Sequence, residues 1–288
     1  MGRTTNGSGT GRKYPARVQS STVRPLRWQW RAVALGLVTG LVLCGAAAAD
    51  WPVASAAQPA RPVPASRVAH ESARRLLVSA VKATDSARSV LLTGTVEEGG
   101  LTFGMSLALS SGGTSKGSID VGGETIRLLR VHKTIYFSGD RAFWTRIGGP
   151  VEADVFAGMW IDAPGTSRLF SPLAPILDER FVSYLFPDPA RSSSLGSATW
   201  TRASGTSVVD HRRVVPLIGT YGPGTAVLLD VAADGEPYIT HLGGTYRQSG
   251  VEASVDLSRY NERVTATVPK RCMSLGQVER GGLKITLA

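Results

Sequence analysis

The sequence predicts an α+β protein built on a single long curved antiparallel sheet, a half-barrel with helices packed on its concave face. Glycine-punctuated runs of alternating apolar and polar residues fill 89–139 and 197–261, which is typical of antiparallel strands joined by short turns. An apolar, proline-divided stretch lies between the two runs. Because a sheet of about ten strands rarely stays flat, it is expected to curl and to receive these helices on its concave side.

Five strands are predicted between Ser89 and Gly139, and five or six more after the helical stretch. In the second strand, alternate positions are apolar: Leu101, Phe103, Met105, Leu107 and Leu109. Gly-Gly pairs separate the early runs and Asp234-Gly235 separates two later ones, which indicates hairpin turns. The C-terminal "LKITLA" is predicted as a last strand.

Helices are predicted before and between the two strand regions. Apolar residues recur at helical spacing over about 67–84, with Ser66 as the N-cap. The middle stretch holds four aromatic residues, Phe143, Trp144, Phe156 and Trp160. Pro172 and Pro175 are expected to divide its later part into short helices.

The N-terminal region divides into three parts ahead of the exported domain at 66–288. Residues 1–31 form a basic cytoplasmic tail or n-region, 32–49 an apolar signal or transmembrane segment, and 50–65 a linker rich in proline and alanine. The tail holds seven Lys or Arg and no acidic residue, whereas residues 32–288 hold 25 basic and 22 acidic residues. Most of the net charge of +10 therefore precedes the apolar segment, as the positive-inside rule expects, and nucleic acid is not a predicted partner.

Three interpretations of residues 32–49 remain open. A cleaved signal fits the small residues around Ala47 and Ala54, and an uncleaved anchor fits a helix that would span about 30 Å. Lipidation of Cys44 is the third, although Leu43 is bulkier than the small residue that usually precedes a lipidated cysteine. Each of them places the domain at the cell membrane on the extracytoplasmic side, or exports it after cleavage.

No catalytic residue, metal site or cofactor is predicted. The four histidines have no metal-ligand spacing to one another or to a cysteine. Asp210-His211 is interpreted as a strand end or turn, and "SGGTSKGS" as a hairpin turn, because Lys116 precedes Gly117 and so breaks the phosphate-loop order. Cys272 is a lone thiol. The protein is therefore not predicted to be an enzyme.

Several segments resemble the LppX/LprG family of actinobacterial envelope proteins, which is related in fold to the LolA and LolB lipoprotein carriers. They are "SVLLTGTV" at 89–96, "SKGSIDVGGETIRLLRVHKTIYFSGDRAFWTRIGG" at 115–149, "FAGMWI" at 156–161 and, more weakly, "GEPYITHL" at 235–242. The resemblance implies a half-barrel with an apolar cavity for acyl chains. It also implies a lipid or an acylated protein as partner and the membrane as location.

The function predicted from this resemblance is that of an extracytoplasmic lipid- or lipoprotein-binding carrier. The alternative is a membrane-anchored envelope sensor or interaction protein that uses the same fold without lipid transfer. Nine residues are candidates to line the cavity: Leu92, Phe103, Met105, Leu107, Ile126, Leu128, Tyr136, Trp144 and Trp160.

Overall fold

The computed structural model describes residues 71–98, 100–167, 170, 198–221, 225–246, 250–281 and 285. The predictions for the tail, the apolar segment with Cys44, the linker, Ser66 and the two dividing prolines lie outside these residues. Within the described ranges no helix is long and apolar enough to cross a membrane.

Thirteen strands and four helices are described. The strands are β1 (Ser89–Glu98), β2 (Leu101–Ser110), β3 (Thr114–Val121), β4 (Glu124–Val131), β5 (Thr134–Gly139), β6 (Trp160–Pro164), β7 (Thr199–Arg202), β8 (Ser207–Val209), β9 (Arg212–Tyr221), β10 (Thr225–Ala232), β11 (Ile239–Tyr246), β12 (Val251–Ser258) and β13 (Cys272–Ser274). The helices are α1 (Ala73–Asp85), α2 (Arg141–Ile147), α3 (Pro150–Phe156) and α4 (Leu275–Arg280).

All thirteen strands belong to one long, open, curved sheet, as predicted. Their order is β13-β6-β5-β4-β3-β2-β1-β12-β11-β10-β9-β7, and β8 pairs with β9 off this path. The sheet is mixed rather than purely antiparallel, because β13 runs parallel to β6. Residue 285 of the predicted last strand is not in a strand, and the last strand described is β13.

The two faces of the sheet differ in composition because side chains alternate along each strand. One face, called the inner face here, carries Leu92, Phe103 and Leu107, all of which are almost fully buried. Leu92 pairs with Leu107 across β1 and β2, and Leu257 continues the row on β12. The opposite side, the outer face, carries mostly small and polar residues such as Thr93 and Ser106.

Helices cover the inner face at both ends of the sheet. Helix α1 buries Leu76, Leu77 and Ala80 and contacts β7 and β11, whereas α2 contacts β4 and β5 and α3 packs against α2. Helix α1 begins later than predicted: its N-cap is Ser72, whose hydroxyl accepts a hydrogen bond from the Arg75 amide.

One hydrogen bond joins α1 to an irregular point in the sheet. The register between β10 and β11 shifts at Asp230, and the Ile239 N–H donates to Thr84 Oγ1 of α1 at 3.0 Å.

Thr84→Val should lower the free energy of unfolding by about 1–3 kcal/mol, since it leaves a buried N–H unpaired at constant side-chain size. Urea denaturation measures this, and Thr84→Ser is the control that keeps the acceptor. Equal losses in the two variants would contradict the role of this bond.

The segment 262–271, called the outer strap, crosses the sheet between its last two strands. Strand β12 lies beside β1, whereas β13 lies beyond β6, so the chain must pass six strands. Neighbouring strands are about 4.8 Å apart, and ten extended residues suffice for that distance. Thr265, Ala266 and Thr267 lie over outer-face residues of β2, β3 and β4. The strap therefore runs across the outer face.

Candidate functional site

The inner face brings together most of the predicted cavity residues. Six of them come from β1, β2 and β4 and are at most 6% exposed: Leu92, Phe103, Met105, Leu107, Ile126 and Leu128. Cross-strand pairs link them, because Ile119 of β3 lies between Met105 and Ile126. They form one apolar wall at the centre of the sheet, which is the arrangement expected of both a core and a lipid-binding surface.

Trp144 joins this wall from helix α2 and is fully buried. Its ring lies 5.0 Å from that of Phe143, 5.1 Å from Phe156 and 6.3 Å from Phe137, measured between centroids. Asp140 fixes the helix in place, because its two carboxylate oxygens accept the amides of Phe143 and of Thr125 on β4. The cap and the strand contact together set the position of the indole.

Two buried side-chain atoms on the inner-face side of the sheet have no hydrogen-bond partner among the described residues. They are Trp144 Nε1 and Glu98 Oε2. Glu98 is in phase with Val96 and Leu92 on β1 and so belongs to the inner face, opposite Leu101. Burial raises the pKa of the Glu98 carboxyl above its usual value. Glu98 is not among the residues predicted from the sequence, although its position in phase with Val96 and Leu92 indicates the inner face.

Phe170 contacts the wall from the segment that follows β6. It is fully buried, and its ring meets that of Phe137 edge to face with centroids 5.6 Å apart. The residues that follow, up to 197, lie outside the described ranges.

The structure corrects the placement of Tyr136 and Trp160. Phe137 and Ile161 pair on the inner face, so the residues beside them, Tyr136 and Trp160, belong to the outer face. These two residues cannot line the same surface as the other seven candidates. The guanidinium of Arg127 lies 5.4 Å from the centroid of the Trp160 ring.

An open groove of about 630 Å³, called the outer groove, lies between the outer strap and the outer face. Its floor comes from β1 to β4 and β6, and its roof from Thr265, Ala266 and Thr267. Lys116, Arg127 and Arg259 are its charged lining residues. This groove is not predictable from the sequence, because nothing local in the sequence indicates that the strap crosses the sheet.

Two motifs that could suggest catalysis lie in turns of the described chain. Asp210 and His211 both have positive φ angles, 46° and 63°, in the two-residue turn between β8 and β9. The Gly113 amide donates to Ser110, which closes the hairpin turn predicted for "SGGTSKGS". The described residues contain no cluster of His, Cys, Asp and Glu that could hold a metal ion.

A separate polar row crosses the outer face on β10, β11 and β12. His241 Nδ1 lies 2.7 Å from Asp256 Oδ1, and His241 is also the register partner of Asp230. Burial raises the pKa of the Asp230 carboxyl, and the neighbouring His241 opposes this rise. Cys272 is exposed and unpaired on the described edge strand β13.

Comparison with known proteins gives matches in structure only, since no family model and no curated protein matches the chain. The similar solved structures include LprF from Mycobacterium bovis, with 16% identity, a TM-score of 0.47, and coverage of 68% of this chain and 96% of that one. They include the Mycobacterium tuberculosis lipoprotein LppX, with 14% identity, a TM-score of 0.43, and coverage of 67% and 96%. A Pseudomonas aeruginosa MucA/MucB complex also matches, with 14% identity, a TM-score of 0.35, and coverage of 67% and 58%.

The described chain has the α+β fold with a long curved sheet that the sequence resemblance implied, and these solved structures are similar to it. At these identities and TM-scores the matches assign no ligand, partner or site to this chain.

Proposed function

We propose that this protein binds the apolar part of a lipid or of an acylated protein on the inner face, outside the cytoplasm at the cell envelope. The observation that carries the proposal is the pair of unpartnered buried atoms, Trp144 Nε1 and Glu98 Oε2. Interiors of native proteins satisfy nearly all buried polar groups, so unpaired atoms call for an explanation. A ligand with apolar chains and a few polar atoms supplies one.

Binding of this kind needs no catalysis. Burial of each methylene group stabilises a complex by about 0.8 kcal/mol, so an acyl chain can be held by an apolar wall alone. The indole N–H would then select among lipids by donating to an ester or amide carbonyl. The Glu98 carboxyl, whose pKa is raised by burial, would lie beside such a ligand.

The test offers a photoreactive acyl ester to the delipidated full-length protein and maps the cross-links. We expect cross-links to inner-face residues of β2 and β4. Trp144→Phe should weaken retention of the ester by roughly 2- to 10-fold, because it removes one hydrogen bond while it keeps an aromatic ring. An ether lipid of equal chain length, which has no carbonyl, is the control and should be retained equally by both proteins. Failure to take up either lipid would refute the proposal.

The membrane-anchored sensor remains the second candidate, and the observation that favours it lies in the sequence. The tail at 1–31 carries seven basic residues ahead of the apolar segment, more than an export signal requires. Intact mass spectrometry of protein from its native membrane separates the possibilities. A full-length mass would favour the uncleaved anchor and the sensor. A chain acylated at Cys44 would favour a lipoprotein, and an unmodified chain that starts near Ala57 would favour a released carrier.

A further inference from the structure

The outer groove has the size of a ligand site and is largely open to solvent. Its volume of about 630 Å³ falls in the middle of the range of roughly 300–1,000 Å³ that is typical of small-molecule pockets. The floor is a paired sheet, and the roof is the outer strap. In the described chain, none of the backbone N–H groups of 263–271 hydrogen-bonds to the backbone of the sheet below. The roof therefore rests over the floor without closing it.

The charge of the groove is uniformly positive. Lys116 of β3, Arg127 of β4 and Arg259 at the end of β12 line it, and no carboxylate is among its lining residues. None of the three forms an ion pair with a described residue. The three side chains are exposed, so water screens their mutual repulsion, and an anion in the groove would meet positive charge from β3, β4 and the end of β12.

Arg127 is held in place to receive such an anion. Its Nη2 donates to Ser138 Oγ at 3.2 Å, and its guanidinium stacks over the Trp160 ring. Ser138 is its register partner on β5. A guanidinium carries five N–H donors, so one bond to a hydroxyl leaves donors for a ligand. A cation fixed in this way loses little conformational entropy on binding.

Part of the remaining floor is apolar. Leu91 of β1 pairs with Ala108 of β2, and Lys116 of β3 lies between Ala108 and Leu129 of β4. This row would contact an extended chain, whereas the cations would contact a head group. We propose that the outer groove is a second binding site, for a single-chain amphiphile whose head group is a carboxylate or a phosphate. The inference is independent of the proposed inner-face function, since the two sites lie on opposite faces of the sheet.

The experiment uses the full-length protein in nanodiscs and single-chain lipids brominated along the acyl chain, which quench tryptophan on contact. Quenching that is seen in the wild-type protein but not in the Trp160→Phe variant is assigned to the outer groove. This difference excludes quenching at Trp144 and quenching that results from partition of the lipid into the disc. Three ligands with the same acyl chain are compared. Oleate has a carboxylate head group, lysophosphatidic acid has a phosphate, and monoolein has a neutral head group. We expect Trp160 quenching by the two anions and at least about tenfold weaker binding of monoolein, as loss of a charged hydrogen bond predicts.

Two outer-face variants and one control test the origin of the signal. Lys116→Met should weaken both anions about tenfold or more and leave monoolein unchanged. Ala108→Phe should abolish Trp160 quenching by every ligand because the new ring fills the floor. Lys82→Met removes the same charge from an exposed position on α1 and should change nothing.

Several results would overturn the proposal. They are equal binding of monoolein, quenching that survives both outer-face variants, and displacement of the anions by an acidic peptide with no acyl chain. Unequal binding of oleate and lysophosphatidic acid would identify which head group is preferred. Trp144→Phe should leave Trp160 quenching intact, so failure of the inner-face proposal and failure of this one are distinguishable.

Discussion

Gly94→Ala is expected to destabilise the protein strongly, because a methyl group at this position meets the backbone of the neighbouring strand. Gly94 lies in β1, between β2 and β12, and a Cβ at this position would stand 2.1 Å from the Ser254 carbonyl oxygen and 2.7 Å from Val255 Cα. Both are backbone atoms of a paired strand, so no side-chain rotation relieves the clash. The strand must move, and we expect a loss of at least about 3 kcal/mol in the free energy of unfolding.

Gly104→Ala is the matched control on the neighbouring strand. Its new Cβ would lie 3.6 Å from Asp120 Cβ, an ordinary van der Waals distance. We expect a change within about 1 kcal/mol, in either direction, because alanine also restricts the unfolded chain. Urea denaturation followed by near-ultraviolet circular dichroism measures both variants. Similar losses for Gly94→Ala and Gly104→Ala would contradict the close approach of β1 and β12.

The hairpins could be predicted from the sequence because their signals are local. Gly122 and Gly123 both adopt positive φ angles, 56° and 86°, in the two-residue turn between β3 and β4. Few residues other than glycine occupy such a turn without strain, so the pair predicts both the turn and the register of the flanking strands. The alternation along β2 likewise identified the residues that the structure buries.

The faces of the short strands could not be assigned in the same way. Ile135, Tyr136 and Phe137 are three consecutive residues with large side chains, and such a run is compatible with either phase. The register decides: Phe137 pairs with Leu128, so Tyr136 faces outward. Trp160 begins a strand of five residues, which is too short for its pattern to fix a face.

The outer strap could not be predicted because its partners are remote in sequence. Val264, Ala266 and Val268 alternate as in a strand, yet the segment crosses the sheet instead of pairing within it. Its path depends on where β13 pairs, and that pairing joins residues 272–274 to 160–162. The outer groove depends on the same long-range contact and so could not be inferred from any motif.

Phe137→Ala is expected to lower the free energy of unfolding by about 3–5 kcal/mol, the loss typical of a deleted buried phenylalanine. The Phe137 side chain is fully buried and contacts the rings of Trp144 and Phe170. Its removal leaves a void at the point where β5, α2 and the segment after β6 meet. Tightly packed surroundings collapse only partly into such a void, so the cavity cost adds to the lost burial.

Tyr136→Ala, one residue away, is the control that separates the contribution of core packing to stability from the contribution of β-strand propensity. Both changes remove an aromatic residue from the middle of β5, but the Tyr136 side chain is only partly buried on the outer face. We expect a loss of about 1 kcal/mol there, the range found for β-propensity and cross-strand pairs. The two values come from the same denaturation experiment. Equal losses would mean that both aromatic rings contribute to one core, which would contradict the two-faced sheet on which the inner-face site and the outer groove both depend.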